Sequence, residues 1–431
     1  MMGMKMLKRR PANWLELFVC AALFAPGAVL AQQTQNSGGS VSSGMAETAG
    51  IPTPVADSQP DAKGIPMGPM TVYPTLRYGI ARDDNIFLQA NGPLKRADTI
   101  NDVKANVLFE AKQSVDQAEN VYSLDLGANW GRYVSSKADD FNDYTALGLA
   151  DLKLGTRFGA LLKLSYGNLH DQRGSTNDPA TATPNRYDLS YVGGVFTLGS
   201  KESQGSFALE LGEQRKNYTN NISVTAANNL NTQDIGGTFG WRVQPKTQLI
   251  FEAKQSVLDY TQPGSTLDST EMRYFVGAVW EATAATTGTL KVGSISKDYK
   301  SSTRQDTSGA GWNANILWSP LTYSKVSLTS YKQPQESSGL GDSVTASKTL
   351  VNWTHDWNSQ VSTTLGGAYG RDVYQGNPRA DNFSSLGLGI NYQMRRWLSF
   401  GADYAYSKRD SNVDTADYTR NVFLLFVKGS L

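Results

Sequence analysis

From about residue 70 to its end, this chain repeats short segments in which every second residue is apolar, and the turn-rich gaps between them alternate short and long. The clearest segment puts Val103, Ala105, Val107, Phe109 and Ala111 on one face and Lys104, Asn106, Glu110 and Lys112 on the other. Successive strand side chains point to opposite faces, so this is a strand with one apolar and one wet side. In a soluble sandwich the apolar faces would meet in a core. In a membrane barrel they point outward to lipid and the polar faces line a lumen. Only the barrel also accounts for the alternation of short and long connections, so the predicted fold class is all-β, a transmembrane antiparallel up-and-down barrel.

Composition agrees. The chain is 39% hydrophobic with a mean hydropathy of -0.39, and after residue 31 no apolar run reaches the roughly 20 residues a spanning helix needs. Its 41 glycines and its 9 Trp, 20 Tyr and 15 Phe suit tight turns and interfacial aromatic girdles. A net charge of +1 offers no concentrated basic surface for nucleic acid. The one cysteine, Cys20, falls near the N-terminus, which leaves the rest without a disulfide or a thiolate.

The N-terminal region divides in two. Lys5, Lys8, Arg9 and Arg10 precede an apolar stretch from Trp14 to Leu30, and Val29, Leu30 and Ala31 offer a small-residue cleavage site, so residues 1–31 read as a signal peptide. A lipidated Cys20 is the lesser reading, because Val19 before it is bulky. Residues 32–69 are rich in Ser, Gly, Gln, Thr, Pro and Ala, cannot bury enough surface to offset ordering entropy, and read as a disordered periplasmic linker.

Residues 70–431 read as the barrel, with about 18 strands at close to 20 residues for each strand and its connection, and 16 as the second choice. Short gaps fall at residues 155–158, 244–246, 319–324, 357–360 and 395–397. Longer ones, rich in Asn, Asp, Gly, Ser and Pro, fall at 83–97, 171–185, 218–232, 333–342 and 375–381. That alternation is expected of an outer-membrane barrel with its linker and C-terminus in the periplasm. The final strand puts Phe423, Leu425, Val427 and Leu431 on one face, and this apolar terminal row looks like the signal read by the barrel-assembly machinery.

The segment TVYPTLRYGIARDDNIF (residues 71–87), with Pro74 and the turn Asp83, Asp84, Asn85, resembles the opening of the β-barrel porin family encoded with exopolysaccharide biosynthesis and export genes, often called EpsL-like. A second strand beginning near Asp98, and the YVSS (133–136) and HDQRGS (170–175) stretches, extend the resemblance over most of the chain. It implies an outer-membrane barrel that supports secretion of a polysaccharide, with periplasmic export proteins as partners and no catalytic residue.

Candidate sites are sparse. Three turn oxygens at residues 83–85 could hold calcium, but the spaced ligands and terminal Glu of a calcium loop are missing, so a turn that bonds its own backbone is the expected reading. His170, beside Asp171 and near Ser175, and His355, beside Asp356, are the only histidines. No GxSxG elbow accompanies them, so neither catalysis nor any metal or cofactor is expected. Candidate lumen residues carry both signs: Lys104, Glu110, Lys112, Asp125, Lys163, Glu252, Lys254 and Asp403. A wet lumen with aromatics such as Tyr133 would suit a neutral glycan. The functions in competition are polysaccharide export, diffusion of solutes or oligosaccharides, and, third, an outer-membrane hydrolase. Porins fold a long loop into the lumen, and 171–185 and 218–232 are the candidates.

Overall fold

The computed structural model describes residues 62–431 apart from 116–117, 201–202, 284 and 338. The signal peptide expected at 1–31 and nearly all of the linker expected at 32–69 lie outside the described residues. The last part of that linker carries a short strand, β1 (Ile65–Met67), which folds back antiparallel on the start of β2 (Met70–Asp83), pairing Ile65 with Val72.

From β2 the chain runs as an up-and-down meander of 18 strands. These are β3 (Asp98–Val115), β4 (Ala118–Tyr133), β5 (Phe141–Leu154), β6 (Phe158–His170), β7 (Arg186–Leu198), β8 (Gly205–Tyr218), β9 (Leu230–Gln244), β10 (Thr247–Tyr260), β11 (Ser269–Thr283), β12 (Thr286–Tyr299), β13 (Thr307–Leu321), β14 (Ser324–Gln335), β15 (Ser343–Asp356), β16 (Val361–Gln375), β17 (Ala380–Arg395), β18 (Leu398–Ser411) and β19 (Tyr418–Ser430). Each pairs antiparallel with its neighbours in sequence, and β19 pairs with β2 from Val422↔Asp83 to Ser430↔Thr75, which closes the ring. Closure satisfies every strand edge, the only way a sheet can sit in hydrocarbon. Pro74, which has no N–H, lies just past the end of this seam, where its carbonyl still accepts from Leu431 N at 3.2 Å.

Connections at the end where β2 begins run from two residues (245–246) to six (199–204). At the other end they run from four (376–379) to fifteen (171–185). The outward face is apolar: Leu76, Tyr78 and Ile80 on β2 and Leu386, Leu388 and Ile390 on β17 are exposed. Exposed Trp241, Trp318, Trp357 and Phe400 ring the short-turn end. Tyr78, Tyr144, Tyr166 and Tyr369 lie toward the long-loop end. These are two interfacial girdles.

The turn Asp83, Asp84, Asn85 does more than end a strand. Asn85 N donates to Asp83 Oδ1 at 2.9 Å, the expected local bond. In addition, Arg420 gives Nε and Nη2 to Asp83 Oδ2 at 3.0 and 2.6 Å, Asn421 gives its N and Nδ2 to Asp84 at 2.7 and 2.8 Å, and Asn85 Nδ2 donates to Thr419 O at 2.9 Å. Three side chains therefore continue the closing seam past the last paired residue and grip three successive residues of β19. Their oxygens are committed to protein donors.

Candidate pore and its crossing loops

The register fixes which side chains share the inner face. Arg77 pairs with Lys104 and with Lys428, Leu108 with Asp125, Leu149 with Lys163, Thr238 with Glu252, Gly236 with Lys254, and Gly389 with Asp403. Lys104, Glu110, Lys112, Asp125, Lys163, Glu252, Lys254 and Asp403 thus all stand on the face opposite the exposed apolar one. Lys112 pairs with Glu110 at 3.4 Å and Asp125 accepts from Asn106.

The inner face is not uniformly polar, as alternation alone implied. Leu147 and Leu149 on β5, Leu161 on β6, and Leu189 and Val195 on β7 also point inward. Inner apolar positions pack under loops that turn into the barrel. Ile86, Ile100, Tyr133 and Phe141 form one buried cluster, with Phe87 and Leu424 against it. Leu169, Tyr187, Leu189 and Tyr218 form another. Tyr133, read from sequence as a surface for a glycan, is buried in the first. Tyr191 lies flat on the wall because its neighbours lack side chains: a Cβ at Gly193 would come 2.3 Å from its hydroxyl, and one at Gly212 2.8 Å.

Between β8 and β12 the inner wall is a closed ion-pair mesh. Lys254 Nζ lies 3.0 Å from Glu210 and 3.5 Å from Asp234, and Lys291 lies 2.9 Å from Glu252. Lys297 bridges Glu271 at 3.2 Å and Glu336 at 2.5 Å, and Arg273 reaches Glu271 at 2.8 Å. Glu210 and Lys291 have 0% relative exposure, so this sector is sealed rather than bathed by a channel. Across β3 to β6, Lys104, Asp125 and Lys163 keep partial exposure.

The long-loop mouth is crossed. In the β6–β7 connection, residues 171–185, Asn177 Nδ2 donates to Ser337 O at 2.9 Å and to the Tyr374 hydroxyl at 3.2 Å, and Arg379 Nη1 donates to Asn177 Oδ1 at 2.9 Å. Those partners sit on and beside β14 to β17, about half the circuit of the ring away. Gly174 (φ +75°) allows the loop to press on the β2–β3 connection, where a Cβ would come 2.1 Å from Phe87 O. Arg173 stacks over the Phe87 ring at 5.4 Å. Asp178 accepts both contacts from Asn228 Nδ2, at 2.9 and 3.0 Å, which ties the crossing to the β8–β9 connection. Burial raises the Asp178 carboxyl above the ordinary carboxylate range, Asp171 adds to this, and the Asn228 bonds oppose it.

Neither histidine lies in a catalytic arrangement. His170 Nδ1 is 2.8 Å from Asp143, and its ring stacks on Phe141 at 4.1 Å. The nearby Ser175 hydroxyl donates to Gln172 O at 2.7 Å. His355 faces outward among Tyr323, Trp353 and Trp357 in the short-turn girdle. No group of three or more His, Cys, Asp or Glu among the described residues could hold a metal. Sequence reasoning missed Asn177, Arg379 and Glu336, single polar residues in loops with no periodicity to mark them.

The family described as Putative beta-barrel porin 2 matches residues 59–430. No curated protein matches the chain. Among solved structures, Acinetobacter baumannii OccAB2 is 12% identical, with 84% of this chain and 98% of that one covered and a TM-score of 0.47. A BenF-like porin from Pseudomonas fluorescens Pf-5 is 10% identical, with 85% and 100% covered and a TM-score of 0.46. Pseudomonas aeruginosa OprD is 13% identical, with 86% and 97% covered and a TM-score of 0.44.

Proposed function

The chain belongs to the Putative beta-barrel porin 2 family, and we propose that it is an outer-membrane diffusion channel for small hydrophilic solutes. The observation that carries this reading is the crossbar of Asn177 on Ser337, Tyr374 and Arg379. A mouth divided from wall to wall admits small solutes beside the bar, whereas an extended polymer would have to thread past it continuously. Export of an exopolysaccharide, with its periplasmic partners, rests on the sequence resemblance alone, carried by residues 71–87, 133–136 and 170–175. In the proposed arrangement residues 1–31 direct export, residues 32–69 tether the barrel on the periplasmic side, and the long loops face outward.

Reconstitution in planar bilayers tests this. Wild-type barrel should give stable conductance steps, and Asn177→Ala with Arg379→Ala should enlarge them about two-fold by freeing the bar, an order-of-magnitude expectation for a size-limited pore. No conductance from either protein would sink the channel reading. Loss of surface polysaccharide on deleting the gene, with no change in solute uptake, would return the assignment to export.

A further inference from the structure

The outward face also carries basic residues where hydrocarbon gives way to headgroups. Arg82 donates to Thr99 Oγ1 at 3.2 Å, Arg132 to Phe141 O at 2.8 Å and Asn142 at 2.6 Å, and Arg215 to Glu213 at 2.8 Å. Each of these has a partner within the protein. Lys332 and Arg371 differ: among the described residues neither side chain donates a hydrogen bond or forms an ion pair, and Lys332 has only the Trp312 ring beside it.

Their placement is specific. Pairing runs Trp312↔Lys332↔Ser347↔Arg371↔Asn382 across β13 to β17, so the two cations flank Ser347 in one row. Two inter-strand steps separate them, about 10 Å. Both side chains are long enough to converge on one group above Ser347. Lys332 Nζ lies 5.8 Å from the Trp312 ring centre, and exposed Tyr369 lies two residues toward mid-barrel from Arg371 on the same face. The next rows toward mid-barrel carry Ser330, Thr349 and Ser384, then exposed Val351, Leu365, Leu386 and Leu388. In order of depth this is a cation pair, a band of hydroxyls and aromatics, and an apolar wall.

We propose that this row binds the phosphate of a lipid headgroup in the leaflet at the long-loop end, with Lys332 and Arg371 holding the phosphate and the leucine wall holding the acyl chains. Charge complementarity selects the ligand class. Unpaired cations near hydrocarbon are costly unless an anion meets them, and juxtamembrane basic residues gain from anionic lipid. Arg supplies a fork matched to phosphate oxygens, and Lys a point charge. Ser347 Oγ, which donates to Arg371 O at 3.2 Å, stands between them and can also accept.

The test uses the whole barrel in detergent, titrated by native mass spectrometry with bisphosphorylated lipid A, its dephosphorylated counterpart and inorganic phosphate. Wild type should retain the bisphosphorylated lipid. Lys332→Gln with Arg371→Gln should weaken it by roughly thirty-fold, the combined effect of two interfacial basic residues. Ser347→Asp, which leaves both cations but puts a carboxylate between them, should weaken it as well, while Arg215→Gln should not. Heat-modifiable migration reports that each variant is folded. Equal binding by the variants, equal binding of the dephosphorylated lipid, or displacement of the lipid by millimolar inorganic phosphate would each overturn the proposal. This test is independent of conductance, so it survives or fails apart from the channel reading.

Discussion

The two inner walls solve the same problem differently. Between β8 and β12 each buried charge has a partner at 2.5 to 3.5 Å, and Lys291 and Glu210 are fully covered. Between β3 and β6, Lys163 stands beside Leu149 with its ammonium 5.3 Å from the Tyr191 ring and keeps part of its surface open. The first wall is a filled, self-neutralised partition. The second keeps its charges partly open to solvent. Charge count does not separate them. Coverage does, because a desolvated charge must be paired, whereas a wetted one need not be.

The largest effect expected bears on whether either wall forms at all. Deleting residues 426–431 removes five of the nine paired positions of the closing seam and the last two members of the apolar row, Val427 and Leu431, so the chain should reach the periplasm and fail to insert. Normal outer-membrane levels of the truncated chain would show that the seam tolerates an open edge. Next in size, Lys291→Met strands Glu252 without its partner and should cost about 3–5 kcal/mol in reversible urea unfolding, most of it recovered by adding Glu252→Leu. Lys163→Gln should cost about 1 kcal/mol, the usual size for a partly covered side chain that leaves no ion partner stranded. Equal costs at the two sites would erase the distinction between the walls. Selectivity should reverse the ranking: Lys163→Glu shifts the reversal potential toward cations, and the Lys291 and Glu252 double substitution leaves it unchanged. Smallest of all, replacing His170 and His355 together with Gln should leave conductance within error, since neither faces a nucleophile. An altered uptake with barrel levels normal would point to a role for one of them in the passage.

Alternation made the strands legible in the chain itself. The segments 103–111, 122–130 and 398–407 read directly as one face out and one face in, because lipid tolerates few polar side chains and any slip by one residue would invert the pattern. The eighteen strands follow from that spacing, and the connection 171–185 stood out by its length. Less was visible where side chains answer to tertiary partners. The inward leucines of β5 to β7 break no rule of outward apolarity, so nothing marks them until the loops that cover them are placed. The connections 134–140, 261–268, 300–306 and 412–417 do not stand out in sequence, although they carry turn residues such as Pro263, Gly264 and Ser265, because each is short and Ser and Asp like theirs also occur on the polar faces of the strands. Asn177 is one Asn among many, and only the fold brings it across the ring to Arg379.

The clasp at the seam has a kinetic meaning. Asp83 and Arg420 lie 337 residues apart, so the bond between them is among the last that a chain synthesised and delivered from its N-terminus can make. Such distant closure is slow and open to error, because the waiting edge of β2 offers backbone groups that any strand could fill at any register. Side chains are choosier than a ladder. If β19 arrived one residue out of step, Arg420 would swing to the lipid side, and Asp83 would face Thr419 or Asn421 instead of a guanidinium. Two residues out of step would keep the faces and still leave Asp84 and Asn85 without their partners. The three-residue turn is thus complementary to one register of closure, written at the start of the barrel and matched only when its end lies in the right place.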